Sequence, residues 1–583
     1  MVNMVIFAGV MAVFVAVTLF LGWYGYKNTK NQDQFMLGRN KSNPLLIGLA
    51  YGASFLSVSA IVGFGGVAAG YGMGMMWLVF LNLFVGLFIA FVVFGKRTRR
   101  LNVNLGALTF ADFLGKRFNS SFIRTLTAVI VLVGMPIYCA AVLIAGVSFL
   151  SNSGLGLNRD IAIFLLSFVV LLYVAYGGII AVMYNDALQA AIMFIGMFTI
   201  LLVTYFVLGQ SHDGGISGIH QGLTDLWASA GAAYPSGGSW QGMTGWASFP
   251  SLGSNAWLYM VSTVLMGVGI GALAQPQLVA RFMTAKDTKT LNRSLIVGSI
   301  FMIVIVGSAY TVGALTNLYY GESPIHSLSQ AIDTVIPLFV TDIFGTMGAW
   351  GELFFVVFIL AILCAAISTM CVLLHTMGAA AGYDLWSEAG KKFKKVDRNK
   401  PSLRITRIAT VIMMVVVIFI AYMLPLDIIA RATAIFMGLT AAALLPAYTH
   451  AVFSKNPRTR PARLSMVAGS VVWLVWALFV NASIGGRLGI EPVIAGQLIY
   501  VDPLIIALPV SAAIMIIGCF TGPREEKPRS LPASSPDTTE HSMVSDGPSQ
   551  VGTAWPADLR GSPPSSEPKV NFSNKWPEHL MRL

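Results

Sequence analysis

Thirteen apolar segments, separated by polar loops, constrain this fold more than any other feature of the sequence. Most are close to the ~20 residues that an α-helix needs to cross the hydrocarbon layer of a bilayer. The chain is 56% hydrophobic and only 11% charged, unlike a soluble domain. We therefore predict an all-α integral membrane protein. Its predicted transmembrane helices are 4–23, 44–69, 75–95, 126–149, 160–183, 187–208, 256–280, 295–319, 353–378, 408–424, 428–453, 464–482 and 501–519.

Basic residues are concentrated in alternate loops. Of the 37 Lys and Arg residues, all but Arg159, Arg431 and Arg487 lie in loops that follow odd-numbered spans or in the C-terminal tail. Cytoplasmic loops are enriched in Lys and Arg, so we predict a plasma-membrane protein with its N-terminus outside and its C-terminus inside. The formal net charge of +12 thus reports orientation and does not indicate a nucleic acid partner.

The second span carries small and polar residues at its centre. Three serines and four glycines lie between Gly52 and Gly66. Glycine weakens a helix and serine offers the backbone other hydrogen bonds, so the pattern predicts a break near mid-membrane that frees carbonyl oxygens. Such oxygens are ligands for a hard cation. Small residues also let a neighbouring helix pack closely, and this segment alone does not decide between the two interpretations.

The seventh span contains a second interrupted segment, from Gly267 to Pro276, five spans after the first. Two inverted repeats of five helices, each opening with a broken helix, would place the interruptions in this way. A simple kink at Pro276 is the alternative. The repeat interpretation predicts six regions: 1–43 (an extra helix and the first cytoplasmic loop), 44–209 (first repeat), 210–254 (an outside loop), 255–455 (second repeat), 456–520 (spans 12 and 13) and 521–583 (a disordered cytoplasmic tail).

Span nine offers oxygen atoms on one helical face. Ala365, Ser368 and Thr369 stand at i, i+3 and i+4, so one carbonyl and two hydroxyls can point the same way. With the carbonyls of Ala53 and Leu56 they would supply five uncharged oxygens, which suit Na⁺ better than zinc or copper. A Ser-Thr pair in a membrane helix more often bonds back to its own helix, and that alternative stays open.

Several motifs, taken in order, resemble the sodium:solute symporter family over about residues 5–455. The segment from Phe35 to Ser57 is similar, without gaps, to the proline-transporting members. The other matching motifs are Tyr176-Gly-Gly178 with Asp186-x-x-Gln189, Gln275-Pro276 with Arg281-Phe-Met283, and Ala365-x-x-Ser368-Thr369 with Asp384-Leu385.

This resemblance implies a leucine-transporter-like fold with a 5+5 inverted repeat, in which helices 2 and 7 are broken. It also implies a symporter rather than an enzyme, with Na⁺ as coupling ion and alternating access as mechanism. The sodium ligands would be Ala53, Leu56, Ala365, Ser368 and Thr369. Asp186 would lie on the inner sodium exit route, although Asp-Ala-Leu-Gln also reads as a capping-box-like start to span six at the cytoplasmic surface.

The substrate region departs from the proline-transporting pattern. Phe55 replaces an acidic residue, and Val268 and Ala272 stand where that subgroup has aromatic residues. The run 53–56 is closer to acetate-type permeases. We therefore expect a small monocarboxylate first, with a proline-like amino acid or a pantothenate-like acid as alternatives. The candidate pocket residues are Phe55, Ser57, Gly269, Ala272 and Gln275.

Two ionisable residues within spans have open roles. His375 follows Ser368 by seven residues on the same face and would line the inner pathway, relay a proton or simply pack through a hydrogen bond. Arg431 would attract a substrate carboxylate, snorkel or pair with Asp427.

Two rival functions follow from these features. A proton-driven or uncoupled carrier would depend on His375 more than on Ser368. A transporter-derived membrane sensor would use the tail to dock a partner. The expected partners are the solute and the lipid bilayer, with no obligate protein partner evident.

Overall fold

The computed structural model describes residues 4–38, 44–152, 157–230, 237–326, 331–392, 403–424 and 429–521. The predicted disordered tail, apart from its first residue, and Asp427 lie outside these ranges. The described chain is mostly helical.

The first ten α-helices lie before the predicted outside loop, 210–254, or within it. They are α1 (Met4–Asn28), α2 (Gln32–Leu37), α3 (Pro44–Phe55), α4 (Phe64–Tyr71), α5 (Met76–Leu81), α6 (Lys96–Leu105), α7 (Phe110–Arg117), α8 (Ser121–Asn152), α9 (Arg159–Gly209) and α10 (Gly215–Ala230). Two π-helical stretches, Ser59–Gly63 before α4 and Asn82–Gly95 before α6, belong to the same series.

The second part begins with another divided helix. Its helices are α11 (Asn255–Leu258), α12 (Val268–Gly271), α13 (Pro276–Met283), α14 (Thr288–Tyr320), α15 (Val335–Gly345), α16 (Gly348–Ala379), α17 (Trp386–Lys392), α18 (Leu403–Met423), α19 (Ile429–Phe453), α20 (Thr459–Phe479), α21 (Ala482–Gly485) and α22 (Pro503–Thr521). π-Helical stretches join α11 to α12 (Tyr259–Gly267) and α16 to α17 (Ala380–Leu385).

Eleven helices within the described ranges are long and apolar enough to cross a membrane. Two of the thirteen predicted spans do not appear as separate helices among these eleven. Span 44–69 is divided, and its second half runs on towards span three. Span 160–183 joins span six in α9, which turns at Gly178. The count of thirteen and the direction of each crossing stay predictions.

The turn inside α9 lies at Gly178 rather than at the predicted boundary 184–186. Gly178 has φ 60° and ψ −160°, a conformation that side-chain-bearing residues avoid. Phe35 of α2 packs directly against it, since a Cβ at Gly178 would lie 2.6 Å from the Phe35 ring. Asp186 therefore sits two turns inside the second limb of α9. The interpretation of Asp186 as a surface cap of span six was wrong.

The predicted break in span two lies at Leu56 and Ser57, between α3 and the π-helical turn. Close packing accompanies this break. A Cβ on Gly52 would lie 2.5 Å from the Phe301 ring, and one on Gly66 would lie 1.9 Å from the Ile332 carbonyl oxygen. Both interpretations of the small residues therefore hold, because Ser57 lies at the break whereas Gly52 and Gly66 allow neighbouring residues to pack closely.

The interruption in span seven lies at Gln275, inside the predicted segment from Gly267 to Pro276. Gly269 lies within α12, and a 3₁₀ turn, Ala272–Ala274, leads to Gln275 with φ −71° and ψ 117°. Pro276 then starts α13. Proline restricts the preceding residue to extended conformations and lacks an N–H, so it both ends one helix and begins the next.

Helix α16 is buried along most of its length, as is α19, whereas α1 is largely exposed. Helix α16 packs against α9, α8 and α3. The buried helix α16 thus runs beside α3, which ends at the break in span two, while α1 is mostly exposed.

Candidate functional site

The break after α3 and the middle of α16 meet through a serine. Ser368 Oγ donates to the Ala53 carbonyl oxygen at 3.2 Å and lies 3.3 Å from the Ala365 carbonyl oxygen, in hydrogen-bonding geometry. All three residues are fully buried. Three of the five predicted sodium ligands therefore form one contact group.

Thr369 adds a hydroxyl that is not used within the protein. Its Oγ1 is buried and has no hydrogen-bond partner in the described part of the chain, so it is not bonded back to its own helix. A buried polar atom left unsatisfied costs ~1–3 kcal/mol. Leu56, 1% exposed, stands at the break itself. The chemistry of this oxygen set fits a sodium ion.

A buried ion pair lies beside this group. Arg281 Nη2 donates to Asp186 Oδ2 at 2.5 Å and to Ser54 Oγ at 3.0 Å. Neither Asp186 nor Arg281 is exposed. Because Ser54 follows Ala53 directly, the ion pair links α9 and α13 to the segment that carries the sodium-ligand carbonyls.

The candidate substrate residues divide into two groups. Phe55 and Ala272 face each other across Gly86, where a Cβ would lie 3.2 Å from the Phe55 ring and 3.5 Å from the Ala272 side chain. Gln275 turns away from them, and its Nε2 donates to Thr440 Oγ1 of α19 at 2.6 Å and to the Gly271 carbonyl oxygen at 3.1 Å.

The two remaining candidates make other contacts. Ser57 Oγ accepts a hydrogen bond from the Ser59 N–H at 3.1 Å. Gly269 packs near Leu81 of α5, where a Cβ would lie 3.1 Å from Leu81. Of the five candidates, Phe55 and Ala272 are the two that lie against the same residue, Gly86. All five stay predictions as pocket residues.

His375 and Arg431 occupy different surroundings. His375 Nε2 lies 2.9 Å from the Phe35 carbonyl oxygen, and the two rings lie 5.1 Å apart. Of the three roles considered for His375, this contact corresponds to packing through a hydrogen bond. Arg431 is half-buried in the first turn of α19. Its predicted partner Asp427 lies outside the described residues.

Reasoning from the sequence missed Arg281 as a site residue. Its position near the end of span seven assigned it to a basic cytoplasmic loop, yet α13 carries it into the interior. One signal was present, because Arg281-Phe-Met283 belongs to the motifs that resemble the symporter family. Gln189, also fully buried, lies one turn after Asp186.

Comparison with known proteins decides the family. The family model described as "Sodium:solute symporter family" matches residues 35–469. This chain belongs to the sodium:solute symporter family.

Curated relatives support this assignment. The osmoregulated proline transporter OpuE of Bacillus subtilis is 24% identical over 83% of this chain and 91% of its own length. Sodium/proline symporter 2 of Staphylococcus saprophyticus is 26% identical over 83% of this chain and 89% of its own. The resemblance found in the sequence is confirmed.

A solved structure supports the fold. A Na⁺-coupled sialic acid symporter in a substrate-bound, outward-open state matches with a TM-score of 0.66 and 17% identity, over 88% of this chain and 97% of that one. The fold is therefore leucine-transporter-like. As a member of this family, the chain is a multi-pass transporter of the cell membrane that couples solute movement to sodium.

Proposed function

We propose that this protein binds one Na⁺ through Ala53, Leu56, Ala365, Ser368 and Thr369, and imports a small organic solute without enzymatic chemistry. The carbonyls of Ala53, Leu56 and Ala365 and the hydroxyls of Ser368 and Thr369 would hold the ion. The observation that carries the proposal is the unused Thr369 hydroxyl beside the Ser368–Ala53 contact.

The proposed mechanism is alternating access across thirteen spans, with the N-terminus outside and the C-terminus inside. Sodium enters from outside and ties the break in span two to α16, which favours the outward-open state. That state binds solute more tightly, so coupling is the difference in solute affinity with and without the ion. After the inner side opens, the Asp186 carboxylate attracts the departing sodium.

Removing both hydroxyls tests the sodium site. In Ser368→Ala/Thr369→Ala, we expect the sodium concentration for half-maximal uptake to rise at least about tenfold, because two ligand oxygens are lost. Thr376→Ala is the matched control. Thr376 lies on the same helix and donates to its own Val372 carbonyl oxygen at 2.8 Å. Unchanged sodium dependence in the double variant would remove the assignment.

For the solute we propose proline or a closely similar amino acid. The support comes from relatives whose names describe proline transport. A small monocarboxylate, the substrate expected from the sequence, stays the second candidate. The observation that favours it is Phe55, whose buried apolar ring stands where the proline-transporting pattern has an acidic residue. A pantothenate-like acid is the remaining alternative.

Uptake into proteoliposomes distinguishes these solutes. With an imposed sodium gradient and a panel of labelled proline, other amino acids, acetate and pantothenate, we expect proline to accumulate most. A proton gradient alone should drive no uptake. Accumulation of acetate instead of proline would reverse the order of candidates.

The same assay separates the rival functions. Uptake driven by protons and abolished by His375→Gln would favour the proton-coupled carrier. A protein that binds solute but moves none would favour the membrane sensor.

A further inference from the structure

Beside the proposed sodium site, three fully buried side chains present polar atoms without a hydrogen-bond partner in the described part of the chain. These atoms are Oδ1 of Asp186, Oε1 and Nε2 of Gln189, and Nε and Nη1 of Arg281. None of the three side chains is exposed. Burying unsatisfied polar atoms is unfavourable, so their occurrence on a contacting pair and on the next turn of the same helix points to a ligand that uses them.

Two elements supply these side chains, and Asp186 and Arg281 are in direct contact. Asp186 and Gln189 stand at i and i+3 on α9 and therefore share one face. Arg281 of α13 reaches Asp186 Oδ2 through Nη2 at 2.5 Å and Ser54 Oγ through the same atom at 3.0 Å. The group thus touches the segment that holds the proposed sodium-ligand carbonyls.

The unused atoms contain both donors and acceptors. Arg281 offers three N–H donors on its Nε and Nη1 atoms, Asp186 offers a carboxylate oxygen, and Gln189 offers one group of each kind. A simple carboxylate would satisfy Arg281 but leave the Asp186 oxygen unused. A lone cation that binds Asp186, as sodium would on its way out, would leave the free Arg281 N–H groups without an acceptor. A zwitterionic amino acid carries a carboxylate and an ammonium or imino group in one molecule, and adds no net charge to a buried, already neutral pair.

We propose that Asp186, Gln189 and Arg281 form an inner binding site for a zwitterionic α-amino acid. The solute occupies this site between the sodium-linked position and the cytoplasm, while the inner half of the protein is open. The carboxylate of the solute binds Arg281, and its amino or imino group binds Asp186 and Gln189. This inference rests on the proposed symport of an amino acid and deepens it by assigning the solute a second, inner binding site.

A side-specific affinity measurement tests the site. Exchange of labelled L-proline is measured in inside-out and right-side-out membrane vesicles with equal sodium on both sides. In Gln189→Leu we expect the half-saturating proline concentration at the cytoplasmic face to rise at least about fivefold, since hydrogen bonds to the solute are lost. The value at the outer face and the sodium dependence should not change.

Asn185→Leu is the matched control. Asn185 is the neighbour of Asp186, is equally buried and also has an unpartnered amide oxygen, but its Nδ2 donates to the Thr18 carbonyl oxygen of α1 at 3.3 Å. Its cytoplasmic affinity should match that of the unmodified protein. Equal affinity changes at both faces in Gln189→Leu, or no change at either, would overturn the inner site.

A ring analogue tests the need for the amino group. Tetrahydrofuran-2-carboxylate keeps the ring and carboxylate of proline but replaces the imino nitrogen with oxygen. We expect it to compete at the cytoplasmic face at least about tenfold more weakly than proline. Equal competition would overturn the zwitterion assignment. Sodium-driven transport of a monocarboxylate and not of proline would overturn this inference and leave sodium symport standing, whereas no sodium-driven uptake of any solute would overturn both.

Discussion

At the level of single residues, Asp186 and Arg281 show how two opposite charges are accommodated in the interior of this membrane protein. Each is fully buried and each is the other's charged partner. A buried charge that loses its partner is destabilising, whereas replacing both charges with neutral groups is often tolerated. The ion pair therefore couples the stability of α9 to that of α13, and it lies beside the segment that carries the proposed sodium ligands.

A double-mutant cycle measures this dependence at the residue scale. We expect Asp186→Asn or Arg281→Gln alone to lower the free energy of unfolding by ~3–5 kcal/mol, because each leaves an uncompensated buried charge. The double variant should lose less than either single variant. Thermal unfolding of the detergent-solubilised protein gives the comparison. Losses that simply add would show that the two side chains act independently.

Among elements, the two interrupted helices and the turn in α9 decide where the site residues lie. The break at Leu56 and Ser57 was predictable, because serine and glycine interrupt an apolar run there. The break at Gln275 was predictable only to within the segment from Gly267 to Pro276, since several glycines and Pro276 all mark it. The turn at Gly178 was missed, because Asp186 and Gln189 offered a plausible helix start further on, although a Gly-Gly pair is itself a turn signal.

Substituting Gly178 tests the turn. We expect Gly178→Ala to destabilise the protein by ~1–3 kcal/mol from backbone strain, with a further loss from overlap with Phe35, whose ring carbon would lie 2.6 Å from the new Cβ. Gly209→Ala is the matched control, because a Cβ at Gly209 in the same helix meets no atom within 4 Å. Yield of folded protein and its unfolding temperature are the measurements. Equal behaviour of the two variants would contradict the proposed role of Gly178.

At the scale of the whole molecule, fold class and family followed from the sequence because hydropathy and charge distribution act over long stretches. Individual buried polar contacts could not be predicted from the sequence in this way. Arg281 was assigned to a basic loop by its position alone, and only the three-dimensional approach of α13 to α9 shows it to be internal. The direction in which the chain crosses the bilayer rests on the loop charges.

Labelling of introduced cysteines tests this orientation. Leu252 is 85% exposed in the predicted outside loop, and Asn456 is exposed after α19. Five candidate membrane helices separate them, so an odd number of crossings places them on opposite sides. We expect a membrane-impermeant thiol reagent to label Leu252→Cys in intact cells and Asn456→Cys only after permeabilisation, with the unmodified protein as background control. The reverse pattern would invert the topology, and labelling of both from outside would mean that one of the five helices does not cross.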